Sequence, residues 1–175
     1  MIRKGDWIQT VSGKQFWPLD PRPDEIDIYD IGHSLSYMCR FNGHCIRYYS
    51  VSEHSYNVSS LLDDEDKAWG LLHDATEAFL ADITRPVKPY LTNYIEIENN
   101  LMKSIAERFG LKGTMPNSVK IADNAMLATE MKQIMATPPM DWKLTEEPVD
   151  IKLMCLNPEE AKQLFLQKAN ELELL

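Results

Sequence analysis

Ionisable side chains lie inside an apolar helical segment of this chain, and this feature restricts its fold more than any other. The segment WGLLHDATEAFLADITRPVK, residues 69–88, places His73 and Asp74 side by side among leucine, alanine and phenylalanine residues, with Glu77 and Asp82 following. A buried charge without a partner costs several kcal/mol. The fold must therefore bring further polar side chains to this segment.

The remaining patterns are mostly helical. Residues 7–29 predict a short hairpin around Ser12-Gly13 and little helix before Asp27. Six helices are predicted. The first runs from about residue 28 to Gly43, and the second begins at a capping box formed by Ser50 and Glu53. The others cover residues 64–83, 94–109 with Gly110 as the stop, about 117–136, and the chain from Asn157 onward. The sequence thus predicts an all-α protein with a short N-terminal irregular or hairpin segment, and 175 residues suit a single domain over 1–175.

Composition argues against several classes of partner. The chain has 27 acidic residues against 18 Lys and Arg, a formal charge of −9, which disfavours polynucleotide and anionic membrane surfaces. Its three cysteines are odd in number and irregularly spaced, which argues against a disulfide framework. The sequence shows no apolar run typical of a signal peptide or a membrane span. We therefore expect a cytoplasmic protein, in the host cytoplasm if it is phage-encoded.

Four polar residues fall on predicted apolar helices and form a metal-ligand hypothesis: His54, His73, Asp74 and Asp123. Two imidazoles and two carboxylates suit one divalent transition metal such as Zn, Co, Mn, Ni or Fe. Taken singly, each residue also has an ordinary structural explanation. His54 is typical of a capped helix turn, and Asp123 could cap a helix or face solvent.

The motifs SEHS, HDATEAFLADITRPVK and KIADNAMLATE together resemble those of HD-domain phosphohydrolases. The resemblance runs from about residue 39 to 130. Within this superfamily, the chain more narrowly resembles a small branch that contains bacterial 5′-deoxyribonucleotidases and phage dATP triphosphohydrolases. It implies a compact HD-domain helical bundle in which the four residues above bind the metal. Glu77 would then transfer a proton near the attacked phosphate, and Asp82 would help to orient the water.

The resemblance also implies a phosphate site. Arg40 matches a phosphate-binding arginine, and Lys88 and Lys120 match basic positions that the triphosphohydrolases use for a polyphosphate tail. The chain departs from the deoxyribonucleotidases at Arg40-Phe41 and Ala81-Asp82, where they often have Arg-Trp and Gly-Asp. Ordinary explanations remain for these residues as well, since lysines usually lie at the surface and aspartates often end helices.

Aromatic residues supply candidates for base binding. Phe41 or Trp17 could stack on a base, and Pro86 could border its pocket, although aromatic side chains more often belong to a core. We expect a dNTP triphosphohydrolase, with dATP as substrate, that releases deoxynucleoside and triphosphate, and a second Mg bound with the nucleotide phosphates. The alternatives are a 5′-deoxyribonucleotidase acting on dNMPs and a non-catalytic nucleotide-binding HD protein. Homo-oligomers are expected, with Met140 and Trp142 as contacts.

Overall fold

Helices account for most of the secondary structure in residues 3–175, which are the residues described by the computed structural model. The all-α prediction is therefore confirmed. The helices are α1 (Ile28–Tyr37), α2 (Val51–Ser60), α3 (Lys67–Leu72), α4 (Glu77–Leu80), α5 (Thr92–Arg108), α6 (Asn117–Ile134) and α7 (Pro158–Glu171). A hairpin of β1 (Ile8–Gln9) and β2 (Gln15–Phe16) precedes them, with Ile8 opposite Phe16. Its turn includes Ser12 and Gly13, as predicted.

The predicted helix over 64–83 is wrong in one respect, because it is divided into α3 and α4. Between them the backbone bonds shorten to an i−3 pattern, with the N–H of Ala75 donating to Leu72 and that of Glu77 donating to Asp74. This tight turn contains His73 and Asp74. Ala81, with a φ of 75°, then ends α4 before the proline-containing loop.

The first helix is also shorter than predicted, since α1 ends at Tyr37 and not at Gly43. The chain after it becomes extended, and Cys39 forms an antiparallel bridge with Ser50 at the start of α2. Backbone bonds from Arg40 to Tyr49 and from Val51 to Met38 hold this bridge. The pairing fixes the start of the loop that carries Arg40 against the start of α2.

The predicted capping box of α2 is half present. Ser50 accepts a hydrogen bond from the Glu53 N–H, as expected of the motif. The Glu53 carboxylate, however, accepts from the backbone N–H groups of residues 154, 155 and 156, at 2.8–3.0 Å. It therefore ties the segment before α7 to α2. The box predicted at Asn157 and Glu160 is complete.

Helix α2 occupies the centre of the molecule and contacts α1, α3, α6 and α7. Leu35, Leu71 and Phe165 belong to one apolar cluster, formed mainly by α1, α3, α5 and α7. Val58 and Met126 belong to a second cluster, which joins α2 and α6. Side chains of α2 that face α3 and α6 are consequently shielded from water.

Every helix in residues 3–175 is too short or too polar to cross a membrane. The assignment of residues 1–175 to a single domain stays a prediction.

Gly70 marks the closest approach of α3 to α2. A β-carbon at this position would lie 2.4 Å from Leu62 Cδ1 and 2.9 Å from Ser59 Cα. We expect Gly70→Ala to lower the free energy of unfolding by about 1 kcal/mol, because the overpacking outweighs the helix preference of alanine. Denaturant titration measures the change. The control is Ser60→Ala on the exposed side of α2, and a Gly70→Ala protein as stable as wild type would contradict the prediction.

Candidate metal centre

Three helical elements bring two histidines and an aspartate together. His54 lies on α2, His73 in the turn after α3 and Asp123 on α6, and their ligand atoms all lie within 4.8 Å of one another. The His54 Nε2 atom is 3.3 Å from His73 Nε2 and 3.2 Å from Asp123 Oδ1. Asp74 Oδ2 lies beside them, 3.2 Å from His73 Nε2 and 3.8 Å from His54 Nε2.

These residues can hold one divalent metal ion. Ligand atoms about 2.1 Å from an ion with tetrahedral coordination lie about 3.4 Å from one another. The two distances from His54 Nε2, 3.3 Å to His73 and 3.2 Å to Asp123, are close to that value. Imidazole nitrogens with carboxylate oxygens are donors that suit a transition metal. The chemistry of the donors and their spacing therefore both fit a metal.

A second layer of polar residues surrounds the histidines. Glu130, which is fully buried, has Oε1 at 2.6 Å from His54 Nδ1 and accepts from Arg40 Nε through Oε2 at 3.1 Å. His73 Nδ1 lies 2.8 Å from the carbonyl oxygen of Gly70. Both imidazoles are thus anchored through Nδ1, and their Nε2 atoms face each other.

The pKa values reflect this crowding of charge. Burial and Arg40 oppose protonation of His54, but Glu130 and Asp123 outweigh them and raise its pKa to about 9. Burial opposes ionisation of Asp123, yet bonding to His54 lowers the pKa of that carboxyl to about 2. Burial likewise opposes ionisation of Asp74, but His73 lowers its pKa well below the usual value. The pKa shifts therefore favour a protonated His54 beside ionised Asp74 and Asp123, so that the carboxylates share one positive charge.

Glu77 lies next to this cluster at the start of α4. It is 9% exposed, and its Oε2 atom has no hydrogen-bond partner within residues 3–175. Burial and the nearby carboxylates of Asp74 and Asp82 raise the pKa of Glu77 to about 10. Burial also raises the pKa of Asp82. Burial and these neighbours therefore favour the protonated form of Glu77, which also has an oxygen available for a further partner.

A cleft of about 380 Å³ opens beside Asp123. Cationic side chains from three parts of the chain line it, namely Arg85, Lys120 and Lys143. Trp142 also lines the cleft, and Arg85 Nη2 lies 3.7 Å from Asp123 Oδ2. In a protein with a net charge of −9, this cleft concentrates positive charge next to the metal-binding residues.

The other predicted substrate residues are distributed unevenly. Phe41 has a φ of 55°. The Arg40 guanidinium lies 5.4 Å from the centre of its ring, and the ring of Trp142, which lines the cleft, lies 6.1 Å away. Lys88 Nζ bonds to Glu98 at 2.7 Å, which offsets its charge. Pro86 is exposed and follows Arg85 in the loop after α4.

Trp17 lies in the N-terminal segment instead. The Arg3 guanidinium covers its ring at 4.2 Å, and Arg3 in turn pairs with Asp20 and Glu25. The structure does not group Trp17 with Phe41 and the cleft. Met140 is 79% exposed, in keeping with the surface position that a contact between subunits would need.

Two bacterial proteins resemble this chain over most of its length. The uncharacterized protein YfdR of Escherichia coli K12 is 37% identical over 172 residues, which cover 97% of each chain. The uncharacterized protein RCAP_rcc00048 of Rhodobacter capsulatus is 35% identical over 145 residues, 75% of this chain and 74% of that protein. The chain belongs to the YfdR family. It matches no protein-family model, and the relatives' names assign no activity to the YfdR family.

Sequence reasoning missed three residues of this site, although two stand inside the motifs it used. Glu130 ends KIADNAMLATE, seven residues or about two helical turns after Asp123, so both face the same side of α6. Arg85 lies in the segment ITRPVK. Lys143 had no local signal, because its loop reaches the cleft only through tertiary folding.

Removal of one ligand should abolish metal binding. We expect Asp123→Ala to retain less than stoichiometric metal after saturation and desalting, because the site loses one of the two carboxylates, Asp74 and Asp123, that offset the charge of the ion. Elemental analysis after incubation with Zn or Mn measures this. Asp64→Ala, which changes an exposed aspartate on the same protein, serves as the control. Stoichiometric metal in the Asp123→Ala protein would contradict the assignment.

Proposed function

We propose that this protein is a divalent-metal-dependent phosphohydrolase of the HD type that acts on deoxynucleotides. The observation that carries the proposal is the convergence of His54, His73 and Asp123 within 4.8 Å, next to the buried acid Glu77. Metal-ligating side chains, a proton donor and a cationic cleft are the groups that phosphate hydrolysis requires. The sequence resemblance to HD-domain phosphohydrolases points to the same chemistry.

Asp74 is proposed as the fourth protein ligand, since its carboxylate lies 3.2 Å from His73 Nε2. One Zn, Co, Mn, Ni or Fe ion would occupy the centre, and a Mg ion would accompany the nucleotide phosphates. When bound, the transition metal supplies polarisation of the phosphate and a lowered pKa for water. Asp82 would orient that water from the loop after α4.

Glu77 is proposed as the general acid. A pKa near 10 keeps it protonated at neutral pH, so it can donate a proton to the 5′ oxygen of the departing nucleoside. Its Oε2 atom, which has no partner within residues 3–175, could accept a hydrogen bond from substrate or water. Arg40 lies 3.5 Å from Asp74 through Nη1 and would bind the phosphate that is attacked.

The cleft favours a long phosphate tail. Lys120, Arg85 and Lys143 line a space that begins at Asp123, so phosphates beyond the attacked one would enter a cationic environment. This supports a dNTP triphosphohydrolase that releases triphosphate, with dATP as the proposed substrate. A 5′-deoxyribonucleotidase is the second candidate, because the pairing of Lys88 with Glu98 removes one of the charges expected for a tail.

The partners follow from the same charges. A small nucleotide is the proposed ligand, and polynucleotides and membranes are not, because a net charge of −9 repels extended anionic surfaces. A cytoplasmic location and a homo-oligomer that uses Met140 are proposed alongside.

Loss of the proton donor should affect turnover alone. We expect Glu77→Gln to lower kcat by about 10²-fold or more, because the amide cannot donate a proton to the leaving oxygen. Metal content should remain near that of wild type. Steady-state kinetics with dATP and elemental analysis measure the two effects. Glu96→Gln, on the exposed side of α5, should keep full activity, and unchanged kcat in the Glu77 variant would remove Glu77 from the mechanism.

The cleft lysines should separate the two candidate activities. We expect Lys120→Ala/Lys143→Ala to lower kcat/KM for dATP by about 10²-fold, since each charged hydrogen bond contributes about 1.5–3 kcal/mol. Activity on dAMP should change little. Chromatography of the products distinguishes triphosphate from orthophosphate, and Lys132→Ala on exposed α6 surface is the matched control. Equal losses on dATP and dAMP would favour the 5′-nucleotidase.

A further inference from the structure

We infer that Glu130 is a positioning residue that couples the metal ligand His54 to the phosphate-binding Arg40. This inference deepens the proposed function and rests on it. A single carboxylate bridges the two residues: Oε1 is 2.6 Å from His54 Nδ1, and Oε2 is 3.1 Å from Arg40 Nε. Its bonding partners are 76 and 90 residues away in sequence, so the bridge exists only in the folded chain.

The bridge determines which nitrogen of His54 can bind a metal. When the Nδ1–H group donates to Glu130, Nε2 keeps its lone pair and faces His73 and Asp123. A carboxylate behind a ligating histidine fixes the orientation of the ring and makes the ligand more basic. Glu130 therefore prepares His54 for metal binding without contacting the metal position itself.

The same carboxylate holds Arg40. The guanidinium is anchored through Nε and lies within 3.5 Å of Asp74 through Nη1. Its side chain is only 12% exposed, and Glu130 is 0% exposed, so the pair interacts with little screening by water. An anchored arginine loses fewer orientations when it binds phosphate than a flexible one does.

Charge balance explains why a further carboxylate can stand in an acidic site. A divalent ion would offset Asp74 and Asp123, and Arg40 offsets Glu130. Without Arg40, Glu130 would be a fully buried negative charge whose one remaining side-chain partner is His54, at a large desolvation cost. Glu130 and Arg40 thus require each other, and this links the metal site to the phosphate site.

The test compares two buried carboxylates of the protein. Glu53 is also 0% exposed and precedes His54, but it accepts from the backbone N–H groups of residues 154–156. We expect Glu130→Gln to weaken Zn binding, measured by isothermal titration calorimetry, by about 10–100-fold. Glu53→Gln should keep Zn affinity close to wild type even if it melts at a lower temperature. Unchanged affinity in Glu130→Gln, or an equal loss in Glu53→Gln, would overturn the inference.

The Arg40 half of the bridge has its own readout. At saturating Zn, Glu130→Gln should bind inorganic phosphate more weakly than wild type, because the guanidinium is no longer held by a carboxylate. Arg40→Ala in the wild-type background should lower phosphate affinity, and in the Glu130→Gln background it should lower it by much less. Additive losses in the double variant would overturn the coupling.

A measurement on the wild-type protein covers the case in which Glu130→Gln fails to fold. In ¹⁵N-labelled, Zn-loaded protein, with His54 assigned by comparison with His54→Asn, the imidazole should show a protonated Nδ1 and a metal-bound Nε2. Metal bound through Nδ1 would overturn the inference.

The outcomes of these experiments also separate the inference about Glu130 from the proposed function. Wild type that binds no Zn removes the metal site, whereas wild type that binds Zn tightly but hydrolyses no nucleotide removes the proposed activity and leaves the role of Glu130 in metal binding testable.

Discussion

The concentration of carboxylates around a buried histidine is the interaction on which the rest of the structure depends. His54 is fully buried on the central helix, and Asp123 and Glu130 approach it from opposite ring nitrogens. In a region of low dielectric these groups are costly unless positive charge is shared among them. Arg40 supplies part of that charge, and a divalent cation bound by His54, His73 and Asp123 would supply the remainder. The cluster is therefore costly to the fold unless positive charge offsets its carboxylates, and its geometry is compatible with a bound cation.

The architecture serves this cluster by surrounding α2. Four helices contact α2, and two apolar clusters lie on either side of it, so its polar residues are sealed from water on several sides. Glu53 fastens the chain before α7 to the same helix through three backbone hydrogen bonds. The turn at residues 73–76 then places His73 Nε2 and Asp74 Oδ2 at 3.3 and 3.8 Å from His54 Nε2 on α2. Packing around α2 thus holds these donor atoms within 4.8 Å of one another, a spacing compatible with a metal ion.

Charge is divided between two adjoining regions. The metal-binding cluster is rich in carboxylates, whereas the cleft next to Asp123 is lined by arginine and lysine. A polyanion that bears phosphates would meet attraction in the cleft and, with a cation bound, at the cluster. Burial and the nearby carboxylates of Asp74 and Asp82 oppose ionisation of Glu77.

The combination of motifs along the chain pointed to His54, His73, Asp74 and Asp123 as candidate metal ligands. Local sequence determined the helical class, the N-terminal hairpin and the complete cap at Asn157. These features depend on spacing within a few residues, which periodicity and capping chemistry report directly. Tertiary structure alone decided the break between α3 and α4 and the position of Trp17 under Arg3. It also decided that the Glu53 carboxylate binds the backbone of residues 154–156 and not the N-terminus of its own helix. It also decided that Glu130 joins His54 to Arg40 and that Lys143 reaches the cleft. Such pairings join residues far apart in the chain, so they depend on how helices pack and on which turn each helix presents to its neighbour, and neither is encoded by local spacing.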